Sequence, residues 1–102
     1  MSTPKMKPDD RADEILTAAL DVAANEGVRG LTRDAIARMA GISPALVSAR
    51  MGTMAELRRK VFRAAVDRRR LAIIAEGLSL GVTACKKAPD ELKRAALAIL
   101  LK

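Results

Sequence analysis

Residues 32–56, TRDAIARMAGISPALVSARMGTMAE, decide the expected fold of this chain. Thr32 and Ser43 stand where helix N-caps are expected, because a hydroxyl oxygen can accept a hydrogen bond from a free backbone N–H in the first turn of a helix. A proline directly after Ser43 is typical of a first helical position. The stretch therefore predicts two short helices, at about 33–40 and 44–51.

A further helix start follows, because Thr53 and Glu56 have the T-x-x-E spacing of a capping box. Beyond it, an apolar stripe recurs at helical spacing: Leu57, Val61, Ala64, Leu71, Ala75 and Leu78. The stripe is interrupted at Arg68. We therefore expect a long fourth helix that bends or ends between Arg68 and Gly77.

The flanking segments complete a helical pattern. Residues 1–8 offer nothing to bury and predict a disordered arm. Carboxylates then crowd the start of a first helix at about 10–26, where the helix dipole favours negative charge, and Gly27 is a natural stop. Residues 77–87 have no clear period, and a short last helix opens at Pro89. No strand pattern or internal repeat is visible, so the expected fold class is all-α.

The composition limits the class of protein. At 102 residues the chain has the size of one domain. Phe62 is the only aromatic residue, so the core must be aliphatic. Cys85 is the only cysteine and histidine is absent, which excludes an intrachain disulfide and a Cys/His metal site. Neither a signal-peptide pattern nor a bilayer-length apolar run is present, so we expect a cytoplasmic protein with no cofactor, metal or membrane partner.

Positive charge is unevenly distributed along the chain, whose net charge is +7. Residues 1–30 are net acidic, whereas residues 51–70 hold seven Arg and Lys side chains against two acidic ones. Such a field indicates a polyanionic partner. A solvated basic helix would give the same count, so charge alone does not decide between the two interpretations.

The two short helices have the features of a helix-turn-helix unit. Crossing helices need a small side chain where their backbones approach, and a turn residue free to adopt positive φ, which Ala37 and Gly41 supply. Ile42, Leu46 and Val47 can hold the second helix by its inner face. Its outer face then consists of Pro44, Ala45, Ser48 and Ala49, with Arg50 at one edge. This unit would present its second helix to the DNA major groove.

Residues 15–66, ILTAALDVAANEGVRGLTRDAIARMAGISPALVSARMGTMAELRRKVFRAAV, resemble the N-terminal DNA-binding domain of the TetR family of repressors. The family pattern has an ILDAAL first helix, a T-x-x-x-IA-x-x-AGVS second helix and turn, and a KGTLYHYF recognition helix, and its spacing is kept without gaps. The resemblance implies a helix-turn-helix domain over 9–66 and a helical extension over 67–102 that pairs with its copy. Because the extension is much smaller than the family's ligand-binding domain, no small-molecule effector is expected.

Most of the family's customary DNA contacts are changed in this sequence. The groove-facing lysine, tyrosine and histidine fall on Pro44, Ser48 and Ala49, and only Thr32, Arg33 and Ser43 carry over directly, as phosphate or edge contacts. Cations of the fourth helix can replace those that are missing. The expected DNA-binding residues are Thr32, Arg33, Ser43, Pro44, Ala45, Ser48, Ala49, Arg50, Arg58 and Lys60.

We therefore expect a small bacterial or phage-type transcriptional regulator that binds double-stranded DNA as a homodimer. An enzyme is not expected, because no base is available to activate Ser43. Two alternatives stay open: a non-transcriptional DNA module of the phage-packaging or nucleoid type, and a protein-interaction adaptor that kept the fold. Charge reversal at Arg33 and Arg50 separates the adaptor, because its partner would still bind.

Overall fold

Seven α-helices joined by short turns make up the part of the chain that the structure describes. The structure, a computed structural model, describes residues 8–101, with side chains from Arg11 onward. Its helices are α1 (Pro8–Glu26), α2 (Arg33–Ala40), α3 (Pro44–Met51), α4 (Met54–Asp67), α5 (Leu71–Ser79), α6 (Thr83–Lys86) and α7 (Asp90–Leu100). A 3-10 turn, Val28–Gly30, follows α1. Because residues 8–101 contain no strand, the all-α prediction is confirmed.

The start of α1 differs slightly from the prediction. The helix begins at Pro8, about two residues earlier than expected, so the last residue of the predicted disordered arm is helical. Proline suits this position because the first backbone N–H groups of a helix have no intrahelical partner to lose. The remainder of that arm, residues 1–7, lies outside the described residues.

Helices α2 and α3 begin at the hydroxyl caps that the sequence predicts. Thr32 Oγ1 accepts a hydrogen bond from the backbone N–H of Ala35 at 3.0 Å, and Ser43 Oγ accepts one from that of Leu46 at 3.1 Å. Between the two helices, Gly41 ends α2 in the left-handed region at φ 72°. The boundaries of both helices therefore follow from local sequence signals, and the predicted ranges are confirmed.

The capping box at the start of α4 is also present. The backbone N–H of Thr53 donates to Glu56 Oε1 at 3.1 Å, and the backbone N–H of Glu56 donates to Thr53 Oγ1 at 3.1 Å. Hydrogen bonds from the backbone and side chain of Thr53 favour the ionised carboxylate and lower the pKa of Glu56.

Helix α4 ends at Asp67 with Arg68 as its C-cap, and α5 starts at Leu71, so the chain breaks at the first position of the range predicted for a bend or an end. Arg69 takes the left-handed conformation at φ 55°. The next N–H, that of Arg70, donates to the Ala65 carbonyl at 2.8 Å, which closes the helix end as a Schellman motif does. Arginine at the left-handed position gives no glycine signal, so the interruption of the apolar stripe at Arg68 was the one sign of this break in the sequence.

Residues 77–87, which lack a clear period, contain the end of α5, a left-handed turn at Gly81 and the short helix α6. Gly77 is buried where α5 meets α4 and α6. A Cβ there would lie 2.9 Å from the ring atoms of Phe62 and closer still to Cys85 Sγ. Cys85 is itself fully buried, and burial raises the pKa of its thiol.

A single aliphatic core connects all seven helices. Helix α1 packs against α2, α3, α4 and α5, while α7 packs against α5. One polar contact also links the two halves of the chain, because both carboxylate oxygens of Glu76 accept the backbone N–H of Val28, at 3.0 and 2.9 Å. The turn that leads into α2 is thereby fixed against α5.

Candidate nucleic-acid interface

Helix α3 has one buried and one exposed face. Val47 and Met51 are 0% and 2% exposed and hold the helix against the core. Ile42 and Leu46, also expected on the inner side, are only half-buried. The remaining predicted groove-facing residues are exposed at Pro44, Ala45, Ala49 and Arg50 and half-buried at Ser48. The helix therefore offers a narrow, mostly apolar surface with a single guanidinium at its C-terminal end.

The starts of α2, α3 and α4 meet around one open surface depression. Its volume is about 440 Å³, and its lining includes Thr32, Arg33, Pro44, Met54 and Arg58. Four residues predicted from the sequence to contact DNA are thus brought together by three different helices. The depression adjoins the start of the exposed face of α3 through Pro44.

The electrostatics of this depression favour an anion. Helix N-termini carry partial positive charge and free N–H groups, which suit phosphate. Neither Arg33 nor Arg58 makes an ion pair within residues 11–101. In addition, Arg33 Nε is buried without a hydrogen-bond partner in the described part of the chain. An unpaired buried donor is costly, and an incoming acceptor would satisfy it once a movement of the Arg33 side chain exposes the Nε–H.

Three predicted contacts, Thr32, Ser43 and Lys60, make hydrogen bonds within the protein. Lys60 Nζ donates to the Met51 carbonyl at 3.3 Å, so its charge lies at the C-terminal end of α3, where the helix dipole favours a cation. Lys60 also lines a separate depression beside α1, with Asp13 and Asp67. Because Arg58 lines the depression at the helix starts and Lys60 does not, the structure separates the two predicted cations of α4.

Ser43 is exposed, and its Oγ accepts the α3 cap hydrogen bond. Its hydroxyl proton remains able to donate to a phosphate oxygen. Ser43 therefore combines a structural role with the predicted one.

Sequence reasoning missed three residues that line the depression: Leu31, Asp34 and Met54. Asp34 lines it beside Arg33 and reduces its positive charge. Leu31, which is 1% exposed, forms part of its wall from the turn before α2. The position of Asp34 next to Arg33 was a visible signal, whereas the contribution of Leu31 depends on how that turn packs.

No protein-family model, curated protein sequence or solved structure matches this chain. No helix among residues 8–101 is both long and apolar enough to cross a bilayer. Within the described residues, no group of three or more Cys, Asp or Glu side chains is arranged to hold a metal ion. The geometry of the surface itself is therefore the basis for a functional argument.

Proposed function

We propose that this protein binds double-stranded DNA through a helix-turn-helix formed by α2 and α3, as a regulator similar in type to the TetR family. The observation that carries the proposal is the convergence of three helix starts and two guanidiniums, Arg33 and Arg58, that form no ion pair with residues 11–101, beside the exposed face of α3. A duplex presents phosphates on both sides of a groove wide enough for a helix. Phosphates in the depression would thus align α3 with the major groove.

The proposed contacts have distinct roles. Arg33 and Arg58 bind phosphate and position the protein, while Arg50 reaches either a phosphate or a guanine edge. Ala45 and Ala49 are exposed and small, so they can contact thymine methyl groups. Phosphate contacts therefore supply most of the affinity in this arrangement, and α3 supplies modest base discrimination.

A homodimer is part of the proposal. The C-terminal end of the described chain exposes four large aliphatic side chains on or directly after α7: Leu97, Ile99, Leu100 and Leu101. Pairing of these residues with those of a second copy would remove an apolar surface from water. A dimer would place two α3 helices on half-sites about 34–36 Å apart.

Equilibrium binding to a random-sequence duplex over a range of salt concentrations tests the proposal. We expect Arg33→Gln and Arg58→Gln each to weaken binding and to reduce the slope of log affinity against log salt by about 0.9. Arg94→Gln is the matched control, because Arg94 is an exposed cation of α7 outside the depression. Equal losses in all three variants would mean that net charge alone causes binding, and no binding at low salt would reject the proposal.

The apolar outer face of α3 favours a second candidate, a DNA module with little sequence preference. Pro44, Ala45 and Ala49 carry no hydrogen-bonding side-chain groups, so direct readout rests largely on Arg50 and Ser48. Selection of bound sequences from a random duplex pool separates the two candidates. A regulator enriches a symmetric motif, whereas a packaging or nucleoid-type module enriches none.

A further inference from the structure

Two adjoining depressions along α4 form a groove that shares only Arg58 with the depression proposed to bind DNA. They have volumes of about 590 and 360 Å³ and share Arg59 and Val82 in their linings. We call this surface the α4 groove. Its apolar lining comes from Val28, Phe62, Val66, Leu80, Val82 and Ala84, and its cations are Arg29, Arg58, Arg59, Arg63 and Lys87.

The groove has a strong excess of positive charge. None of its five cations makes an ion pair with a residue between 11 and 101. The only carboxylate in its lining is Glu76, and both oxygens of that group already accept the backbone N–H of Val28. The cations are therefore available to a negatively charged partner.

The apolar lining narrows the class of that partner. Leu80 is 63% exposed directly after α5 and lines one depression with the half-buried Val82, while the half-buried Val66 lines the other depression. Duplex DNA offers phosphates to the cations but little apolar surface to these side chains. A partner that satisfies both parts of the groove must carry carboxylates and aliphatic or aromatic side chains together.

We propose that the α4 groove binds an acidic amphipathic helix of a partner protein. Such a helix places apolar side chains at i, i+3, i+4 and i+7 on one face, which matches a groove open along its length. Leu80 and Val82 would contact that face, above a floor that includes the buried Phe62. Carboxylates flanking it would meet Arg59, Arg63 and Lys87, and this charge complementarity would select the partner and speed its association. The inference does not depend on DNA binding.

Display selection of random peptides against the full chain tests this proposal without knowledge of the natural partner. We expect enrichment of peptides with Asp or Glu around Leu or Phe at helical spacing. Leu80→Gln and the double variant Arg63→Gln/Lys87→Gln should each weaken binding of a selected peptide about tenfold, which corresponds to about 1.4 kcal/mol. Matched controls outside the groove, Met39→Gln on α2 and Arg94→Gln on α7, should bind within about twofold of the unaltered chain, a difference well below 1 kcal/mol.

Several results would overturn the proposal. These are the absence of enriched peptides, enrichment of basic peptides, and binding that the groove variants leave unchanged. Displacement of the peptide by short duplex DNA that the variant Arg33→Gln leaves unchanged would assign the groove to nucleic acid, and saturable displacement by dodecanoate would assign it to a small amphipathic anion. Loss of self-association in Leu80→Gln, measured by light scattering, would assign it to a second copy. Because Arg33 and Arg58 are untouched, failure here leaves the DNA proposal standing.

Discussion

The two halves of this chain specify their helix boundaries in different ways. In residues 8–67, α2, α3 and α4 each begin at a Ser or Thr whose hydroxyl accepts a backbone N–H. In residues 68–101, the residues before α5, α6 and α7 are Arg70, Val82 and Pro89, and none provides a side-chain cap. Local hydrogen bonds therefore determine where α2, α3 and α4 start, beside the candidate DNA surface. Tertiary packing determines where α5, α6 and α7 start.

The sharpest test of this contrast is Gly77→Ala. A Cβ at this position meets Phe62 and Cys85, so the packing of α5 against α4 and α6 must shift. We expect the free energy of unfolding to fall by about 2 kcal/mol, since overpacking exceeds the gain in helix propensity. Urea denaturation measures the change, with Ser79→Ala, at an exposed position of the same helix, as a near-neutral control. An unchanged midpoint for Gly77→Ala would show that packing does not determine α5.

A smaller loss of stability is expected when a local helix cap is removed. Ser43→Ala removes the acceptor for the Leu46 N–H and should lower the free energy of unfolding by about 1 kcal/mol. Ser43→Gly should cost only a few tenths of a kcal/mol, because glycine leaves that N–H open to water. Thermal unfolding of the unaltered chain and of the two variants ranks their stabilities. Equal stability of the alanine and glycine variants would contradict a local cap.

A substitution at the break after α4 should increase the stability of the protein. Arg69 adopts φ 55°, a conformation that costs a non-glycine residue about 1 kcal/mol or more. Arg69→Gly should therefore raise the free energy of unfolding by about 0.5–1 kcal/mol. The lost ion pair with Glu91 at 3.2 Å is exposed and contributes little. Arg69→Ala is the control, because it removes the same pair without relieving the backbone. A stabilised alanine variant would assign the effect to charge instead.

The smallest expected effect is the change with pH in the stability that Glu56 contributes. The pKa of Glu56 is lowered by its hydrogen bonds with Thr53, so the ionised carboxylate stabilises the folded state above the ordinary glutamate pKa. This contribution disappears as the pH falls through the lowered pKa of the folded state. We expect Glu56→Gln to be slightly less stable than the unaltered chain at neutral pH and equal to it in strong acid. Denaturation at several pH values checks this, and a difference that grows in acid would reverse the sign of the argument.

The same contrast explains how much the sequence could predict. Thr32, Ser43, Thr53 and Gly41 are local signals, and the boundaries that they predict for α2 and α3 and for the start of α4 are present. The end of α4 could be predicted only to the range 68–77, because Arg69 takes a conformation usually associated with glycine. Likewise, the path of residues 77–87 depends on contacts of Gly77 that span distant parts of the chain.

The candidate site follows the same division. The exposed face of α3 could be read from helical spacing once Val47 was placed inside. The meeting of Thr32, Arg33 and Arg58 at one depression required the tertiary arrangement of three helices. Lys60 illustrates the limit, since its position on α4 and its charge gave no sign that its Nζ contacts the Met51 carbonyl.

Backbone amide NMR shifts during titration with a short random-sequence duplex test the central claim most directly. The account predicts that the largest shifts fall at three places, the start of α2 near Arg33, the length of α3, and the first turns of α4 through Arg58. Amides of α6, and those on the side of α7 away from any dimer contact, should move little. Shifts confined to α5–α7, or spread evenly over all basic residues, would contradict a DNA surface built from the starts of α2, α3 and α4.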